Sequence, residues 1–384
     1  MRVFITGAAG YIGGMLTDLF LADSRIDSVV VLDMKDASEK FPKDNPKFKW
    51  ITWNLGDDGW QEKVLEGGAP DVVVHCAYVI REGYGKKREW QNKCNLTAAD
   101  KVFEFVFKNK ISRLIHFSTV ASYGARKENS IKRWFREEDP FLEREYLYGV
   151  DKKMIEEKLR TIFEKEKGDL QKGVRQSPLP QVLIVRPCAI SGPRGQYIFK
   201  RFGLLQMIKE GLPIIPITGP ESARQFIHED DVADIVFWMT FGGASPHTQS
   251  KNQSFSADSF SNNATHAYLE EQGSLGVGVK GDCEVFNIAP HCFFLLKDMA
   301  HSIGKKTIRI PAWLGKFGFW FLWNMSRGKI PTVPAGINSY TYPIIVDGSK
   351  ITKFGFNYQY NCSDALNADS GRYWEMAKKY KNKR

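Results

Sequence analysis

No apolar run in the chain reaches the roughly 18 residues of a membrane span. The nearest, Ile310 to Met325, is interrupted by Lys316. The first β-type run starts at Arg2, leaving no room for a secretory signal, so a cytoplasmic protein is expected. Cysteine is sparse: Cys76, Cys94, Cys188, Cys283, Cys292 and Cys362 show no close pairing of the metal-binding kind and read as reduced thiols. No metal site is expected. There is no internal repeat, which excludes solenoids and propellers. There is also no interleaving of aromatic and basic residues of the nucleic-acid-binding kind. The net charge of +10 attracts anions in general, whether nucleic acid, anionic lipid or phosphorylated small molecules, and does not choose among them. The cluster Lys378, Lys379, Lys381, Lys383 and Arg384 reads as a solvated tail.

What is present is ordinary globular material. With 384 residues and 43% hydrophobic content, the chain can bury one large α/β unit or two domains sharing a core. Apolar β-branched runs alternate with helical patterns through the first half. Strands are expected near residues 2–6, 28–33, 48–53, 71–75, 113–118 and 181–186, building a parallel, doubly wound sheet. Residues 160–180 read as an exposed helix end and loop, and 242–282 as a surface insertion rich in Ser, Asn, Gln and Gly. The aromatic stretch Trp313, Phe317, Phe319, Trp320, Phe321 and Trp323 reads as a buried helix or a lid over a hydrophobic pocket, with an interfacial helix as the alternative.

The strand Val3-Phe4-Ile5-Thr6 feeds Gly7, Gly10 and Gly13 and then a helical pattern at Met15, Leu16, Leu19 and Phe20. Gly7 permits a tight turn, Gly10 lets backbone approach phosphate oxygens, and Gly13 lets the helix lie close to the strand. Unpaired N–H groups at the helix start then face an anion. A second strand ends in Asp33, twenty residues beyond Gly13, where a carboxylate accepts a hydrogen bond from an adenosine ribose 2′-OH. Together these features predict a dinucleotide site. Asp33 opposes a 2′-phosphate, which favours NAD over NADP, although Lys35 weakens that preference.

Tyr148 and Lys152 stand four apart, on one face of a helix. A nearby cation brings a phenol of ordinary pKa ~10 toward the working range of a base. Thr119 closes the strand before this helix and can hold a substrate oxygen, with Ser118 and Ser122 as competing hydroxyls.

These segments resemble the extended short-chain dehydrogenases/reductases, the family of NAD-dependent epimerases and dehydratases. The glycine turn is similar to TGxxGxxG, Asp71 to Ala77 to DxVxHxA, Tyr148 and Lys152 to YxxxK with Glu156 following, Arg186-Pro187 to the RP turn, and Arg224 to Ala233 to RxFIHxxDVA. Asn287 and Asp347 to Phe356 echo C-terminal segments. The resemblance implies a Rossmann-type NAD-binding domain over 1–187, completed by 225–241 and 283–290. A smaller substrate-binding domain would come from 188–224 and 291–384. NAD contacts are implied at Gly7, Gly10, Tyr11, Ile12, Gly13, Asp33, Asn54, Leu55, Cys76, Ala77, Asn95, Ser118, Tyr148, Lys152, Pro187 and Cys188. Thr119, Tyr148 and Lys152 are implied as catalytic, and Thr119 and Arg224 as contacts to a small-molecule substrate. Packing of the Tyr148 helix against a second copy would give a homodimer.

The implied step removes a proton from a secondary alcohol at Tyr148 while hydride leaves the same carbon for nicotinamide. Two substrate classes stay open. Ala189 and Ser191 stand where sugar-nucleotide enzymes carry Asn and Tyr, resembling 3β-hydroxysteroid dehydrogenase-like members and a hydrophobic alcohol. Arg224 points instead to a nucleotide-sugar phosphate, its alternative role being an ion pair with Asp230 or Asp231. Val120 and Ala121 after Thr119 disfavour dehydration, and retention of Thr119, Tyr148 and Lys152 disfavours a merely dinucleotide-sensing relative.

Overall fold

Val, Ile, Leu and Phe occupy both faces of the early strands, so these strands are driven to the middle of a sheet covered on both sides. In the computed structural model, which describes residues 1–37, 41–42, 44–198, 211–242 and 282–375, all six expected runs form strands. They are β1 (Arg2–Thr6), β2 (Ser28–Asp33), β3 (Phe48–Thr52), β4 (Val72–His75), β5 (Arg113–Phe117) and β6 (Gln181–Pro187). Four short strands follow: β7 (Ala189–Ser191), β8 (Ile214–Ile217), β9 (Ala223–Arg224) and β10 (Phe226–His228). Then come β11 (Cys283–Ile288), β12 (Phe294–Leu295) and β13 (Lys306–Arg309). The main sheet has seven strands in the order β11-β6-β5-β4-β1-β2-β3, each neighbouring pair parallel.

From β1 the chain winds to β2 and β3 on one side, then resumes at β4 and winds the other way. The strand order therefore reverses between β1 and β4, the place where a crevice opens beyond the carboxyl ends of the strands. Helices cover both faces. Val3, Ile5, Val29, Val31, Val72 and Val74 point into one core with α1 (Tyr11–Ala22). The alternate residues Phe4, Val30, Leu32 and Val73 point into the other. That second core contains Val102 and Phe103 of the helix Lys86–Lys108 and Ile155, Leu159 and Phe163 of the helix Leu147–Gln171. With α2 (Trp60–Leu65) between, these two long helices are α3 and α4. Each fully buried Val, Leu, Ile or Phe contributes about 1.5–3 kcal/mol of burial. The stretch expected to be a helix end and loop from residue 160 stays helical to Gln171.

A buried ion pair links the sheet to α4. Arg186 on β6 binds both Glu156 carboxylate oxygens and reaches the Tyr123 hydroxyl at 2.5 Å. After α5 (Pro193–Ile198), α6 (Glu229–Thr240) stacks Phe237 on Phe20 of α1. The acidic residues at its start anchor the C-terminal segment: Asp231 accepts from the Gln359 and Tyr360 N–H groups, and Asp230 accepts from the Arg372 N–H at 2.7 Å.

A third apolar cluster, with Ile215, Phe226, Leu296, Met299 and Ile337, lies near the short strand pairs β8–β13 and β9–β12. It is built with α7 (Leu296–Ser302), α8 (Ala312–Met325) and α9 (Gly336–Thr341), followed by α10 (Ser349–Lys353) and α11 (Cys362–Asn367). Two expectations are corrected here. Cys292 and Cys362 form a disulfide across 70 residues, so the six cysteines are not all reduced thiols. That separation in sequence is what hid the pair. The aromatic stretch forms α8, but it is neither buried nor a lid: Trp323 and Gly315 face the protein, whereas Trp313, Phe317, Trp320 and Phe321 face outward. The expected insertion at 242–282 and the basic tail fall almost wholly outside the described residues.

Candidate active site

The turn after β1 has room only for glycine. Gly7 adopts a left-handed φ of 78°, and a Cβ there would lie 2.7 Å from the Ala77 Cα at the end of β4. A Cβ on Gly13 would lie 2.3 Å from the Gly7 carbonyl oxygen, which is the close helix–strand contact expected of it. Helix α1 begins at Gly10 with no side-chain cap and no acidic residue in its first turn. Its N-terminal residues Tyr11, Ile12 and Gly13 line a cavity of about 820 Å³. An uncapped positive helix end facing a cavity favours an anion there. Asp33 lines the same cavity and fixes its rim, accepting hydrogen bonds from the Ala9 and Lys35 N–H groups, each at 3.0 Å.

Of the expected catalytic side chains, Thr119 and Tyr148 line this cavity and Lys152 does not. Thr119 lies two residues past β5 and caps the short 3-10 turn Val120–Tyr123, its hydroxyl accepting from the Ala121 N–H at 3.2 Å. Tyr148, in the first turn of α4, hydrogen-bonds Thr119; burial pushes its phenol up and that hydrogen bond pulls it back. Position 149 has to be small, because a Cβ on Gly149 would lie 2.9 Å from the Ala121 carbonyl oxygen, where α4 rests on the turn. Of the competing hydroxyls, Ser122 is spent on the Gly149 carbonyl at 2.9 Å, and Ser118 is buried with no hydrogen-bond partner and does not line the cavity. Thr119 is therefore the hydroxyl that reaches the site.

Lys152 behaves differently from expectation. Its ammonium donates to the Phe117 carbonyl at 2.5 Å and lies 4.5 Å from the centre of the Tyr78 ring, rather than governing the Tyr148 phenol. Burial draws it down to about 8. Between that value and the ordinary 10.5 the folded protein holds fewer protons than the unfolded chain, so the Lys152 contribution to stability rises with pH across that window. The gap in urea midpoint between wild type and Lys152→Met is expected to change in the wild type's favour from pH 8 to 10.5. A pH-independent gap would sink this assignment.

Tyr78 is a residue the sequence reading missed. Its hydroxyl binds Asp151 at 3.1 Å while its ring packs against Tyr148 and beneath Lys152. Its one signal was an aromatic directly after Ala77. Asn95 lines the cavity, but its amide is committed to bracing the loop, accepting from the Val79 N–H at 2.8 Å and donating to the Val79 carbonyl. Asn54, Leu55, Cys76, Ala77, Pro187 and Cys188 all line the cavity; Tyr11 does too, with its hydroxyl hydrogen-bonded to Glu229.

At the other end of the cavity lies Arg224, half-buried beside Tyr146. Its guanidinium donates only to the Ala223 carbonyl at 3.3 Å and has no carboxylate partner among the described residues. Burial pulls it down to about 10. The ion-pair alternative falls, because Asp230 and Asp231 are engaged by the C-terminal segment.

A sequence model of the NAD dependent epimerase/dehydratase family matches residues 3–248. The chain belongs to that family. Among curated members it is 32% identical over 131 residues to "Putative UDP-arabinose 4-epimerase 4" of Arabidopsis thaliana, covering 32% of this chain and 30% of the relative. The chain thus spans about a third of the length of the plant relatives it matches. It is 24% identical over 259 residues to "Uncharacterized UDP-glucose epimerase YtcB" of Bacillus subtilis, covering 64% of this chain and 74% of the relative. Its fold is shared with dTDP-glucose 4,6-dehydratase from Bacillus anthracis, solved with NAD, at a TM-score of 0.62 and 16% identity, covering 99% and 98% of the two chains. UDP-glucose 4-epimerase from Thermotoga maritima, solved with UDP-glucose, gives 0.61 and 17%, covering 98% and 99%.

Proposed function

We propose that this family member is an NAD-dependent epimerase of a nucleotide-activated sugar. The observation that carries the reading is Arg224: a half-buried guanidinium with no carboxylate partner among the described residues, in the same cavity as Tyr148 and Thr119, is a charge waiting for an anionic ligand. The named relatives, which include UDP-sugar epimerases, support the same class. The hydrophobic-alcohol alternative keeps Ala189, which lines the cavity, but gains nothing from the aromatic helix, since no residue of α8 lines it.

The glycine turn fits a dinucleotide: at Gly7 and Gly13 a Cβ would collide with backbone, and Asp33 stands at the end of β2 to receive a ribose hydroxyl. The fixed negative charge of Asp33 favours NAD over NADP. Bound NAD would supply the acceptor for hydride leaving the carbinol carbon. The chain's own residues do the rest. Tyr148 takes the hydroxyl proton and Thr119 holds the oxygen as it becomes a carbonyl, while Lys152 adds positive charge from behind the Tyr78 ring that packs on Tyr148. Arg224 holds the substrate phosphates while the sugar turns to present its other face.

Arg224→Met is expected to weaken UDP binding in calorimetry about 10- to 100-fold, as hydrogen bonds to a charged group contribute about 1.5–3 kcal/mol. The melting temperature should hold, because the half-buried guanidinium removed has no carboxylate partner among the described residues. Unchanged UDP affinity would overturn the assignment, as would failure of the wild type to interconvert 4-epimers of UDP-sugars in a product analysis by NMR.

A further inference from the structure

We propose that the outward face of α8 docks this protein on an anionic membrane surface. Trp313, Phe317, Trp320 and Phe321 recur at helical spacing on one face, and they are 70%, 53%, 50% and 48% exposed. Phe317 stacks on both Trp320 and Phe321, making a continuous aromatic surface rather than scattered side chains. The opposite face is already seated: Trp323 is buried, and a Cβ on Gly315 would lie 2.7 Å from Thr218 Cγ2. A helix that is apolar on both its faces and exposed on one needs a second apolar surface. At 14 residues it is about 21 Å long, so it lies in an interface plane rather than spanning a bilayer.

Charge names the occupant. Between Asp298 and Asp347 the sequence has no Asp or Glu, yet it has six Lys and Arg: Lys305, Lys306, Arg309, Lys316, Arg327 and Lys329. All but Lys305 are exposed. Trp and Phe in a stretch whose charges are all cationic match the interface of an anionic leaflet, where rings sit at headgroup level and cations meet lipid phosphates. A second copy fits less well, because a two-fold interface would bring cation against cation. Docking would also adjoin the active site. Tyr84, on the loop that carries Tyr78 and Val79 into the cavity, donates to the Asn324 side chain of α8 at 3.1 Å.

The test is flotation of the full chain with phosphatidylcholine vesicles containing about one third phosphatidylglycerol, and with phosphatidylcholine alone. The wild type is expected to float with the anionic vesicles and to be released by high salt. Phe317→Glu with Trp320→Glu, and separately Lys316→Glu with Arg327→Glu, should each lower binding at least about tenfold with thermal unfolding unchanged. A wild type that stays unbound overturns the proposal, as do variants that bind equally well or equal binding to uncharged vesicles. A wild-type dimer that the Glu variants dissociate, with no vesicle binding, would assign the face to a second copy and likewise overturn it.

Discussion

Tyr148→Phe is expected to slow nucleotide-sugar interconversion by ~10²–10⁴, the range of a positioned general base, with UDP affinity within about threefold of wild type. The geometry makes this a demanding position. The phenol is pushed up by burial, and its compensating interaction is the hydrogen bond from Thr119, not the ammonium of Lys152. Loss of the hydroxyl leaves Thr119 on its turn, because that side chain is also held by the Ala121 N–H. The defect should therefore fall on kcat and leave binding and fold intact. Thr119→Val should act in the same direction by removing the phenol's partner. A fully active Tyr148→Phe would show that the proton goes elsewhere.

Glu156→Gln is expected to destabilise the fold by about 3–5 kcal/mol in urea titration, the cost of stranding a buried charge. The partner left behind is Arg186, 1% exposed, whose guanidinium spans the Glu156 carboxylate, the Tyr123 hydroxyl and the Glu137 carbonyl. Removing both charges, as Glu156→Leu with Arg186→Met, should recover much of that loss, since a well-packed apolar pair avoids the desolvation of two ions. A Glu156→Gln protein within about 1 kcal/mol of wild type would mean the pair is not closed in solution. The pair matters to the site because it ties α4, and so Tyr148, to the sheet that carries Thr119.

Much of this molecule was legible in one dimension. Strands such as Val72–His75 are continuous apolar runs, and an alternation of such runs with helical periods permits little other than a parallel sheet with helices on both faces. The glycine turn, Asp33, Thr119 and Tyr148 stood out in the sequence because each has a characteristic place in a local element, and the structure brings them to one cavity. The contacts that were not legible join residues far apart in the chain. Cys292 meets Cys362 only because the start of α11 returns beside the loop between β11 and β12.

Direction was a second thing spacing could not supply. The pattern Tyr148-x-x-x-Lys152 puts both side chains on one face of α4, but only packing turned the ammonium toward the Phe117 carbonyl and the Tyr78 ring. Arg224 was open between phosphate and carboxylate until the C-terminal segment claimed Asp230 and Asp231. The aromatic run at 313–323 had a helical period from the start, yet a period says only which residues share a face. Which face meets the core and which meets solvent was decided by Gly315 and Trp323 packing inward, and that left Trp313, Phe317 and Trp320 exposed. One-dimensional pattern was enough for the strands of the sheet and for naming candidate groups of the site. Tertiary structure alone decided partners and exposure, because those depend on which distant segments arrive beside each side chain.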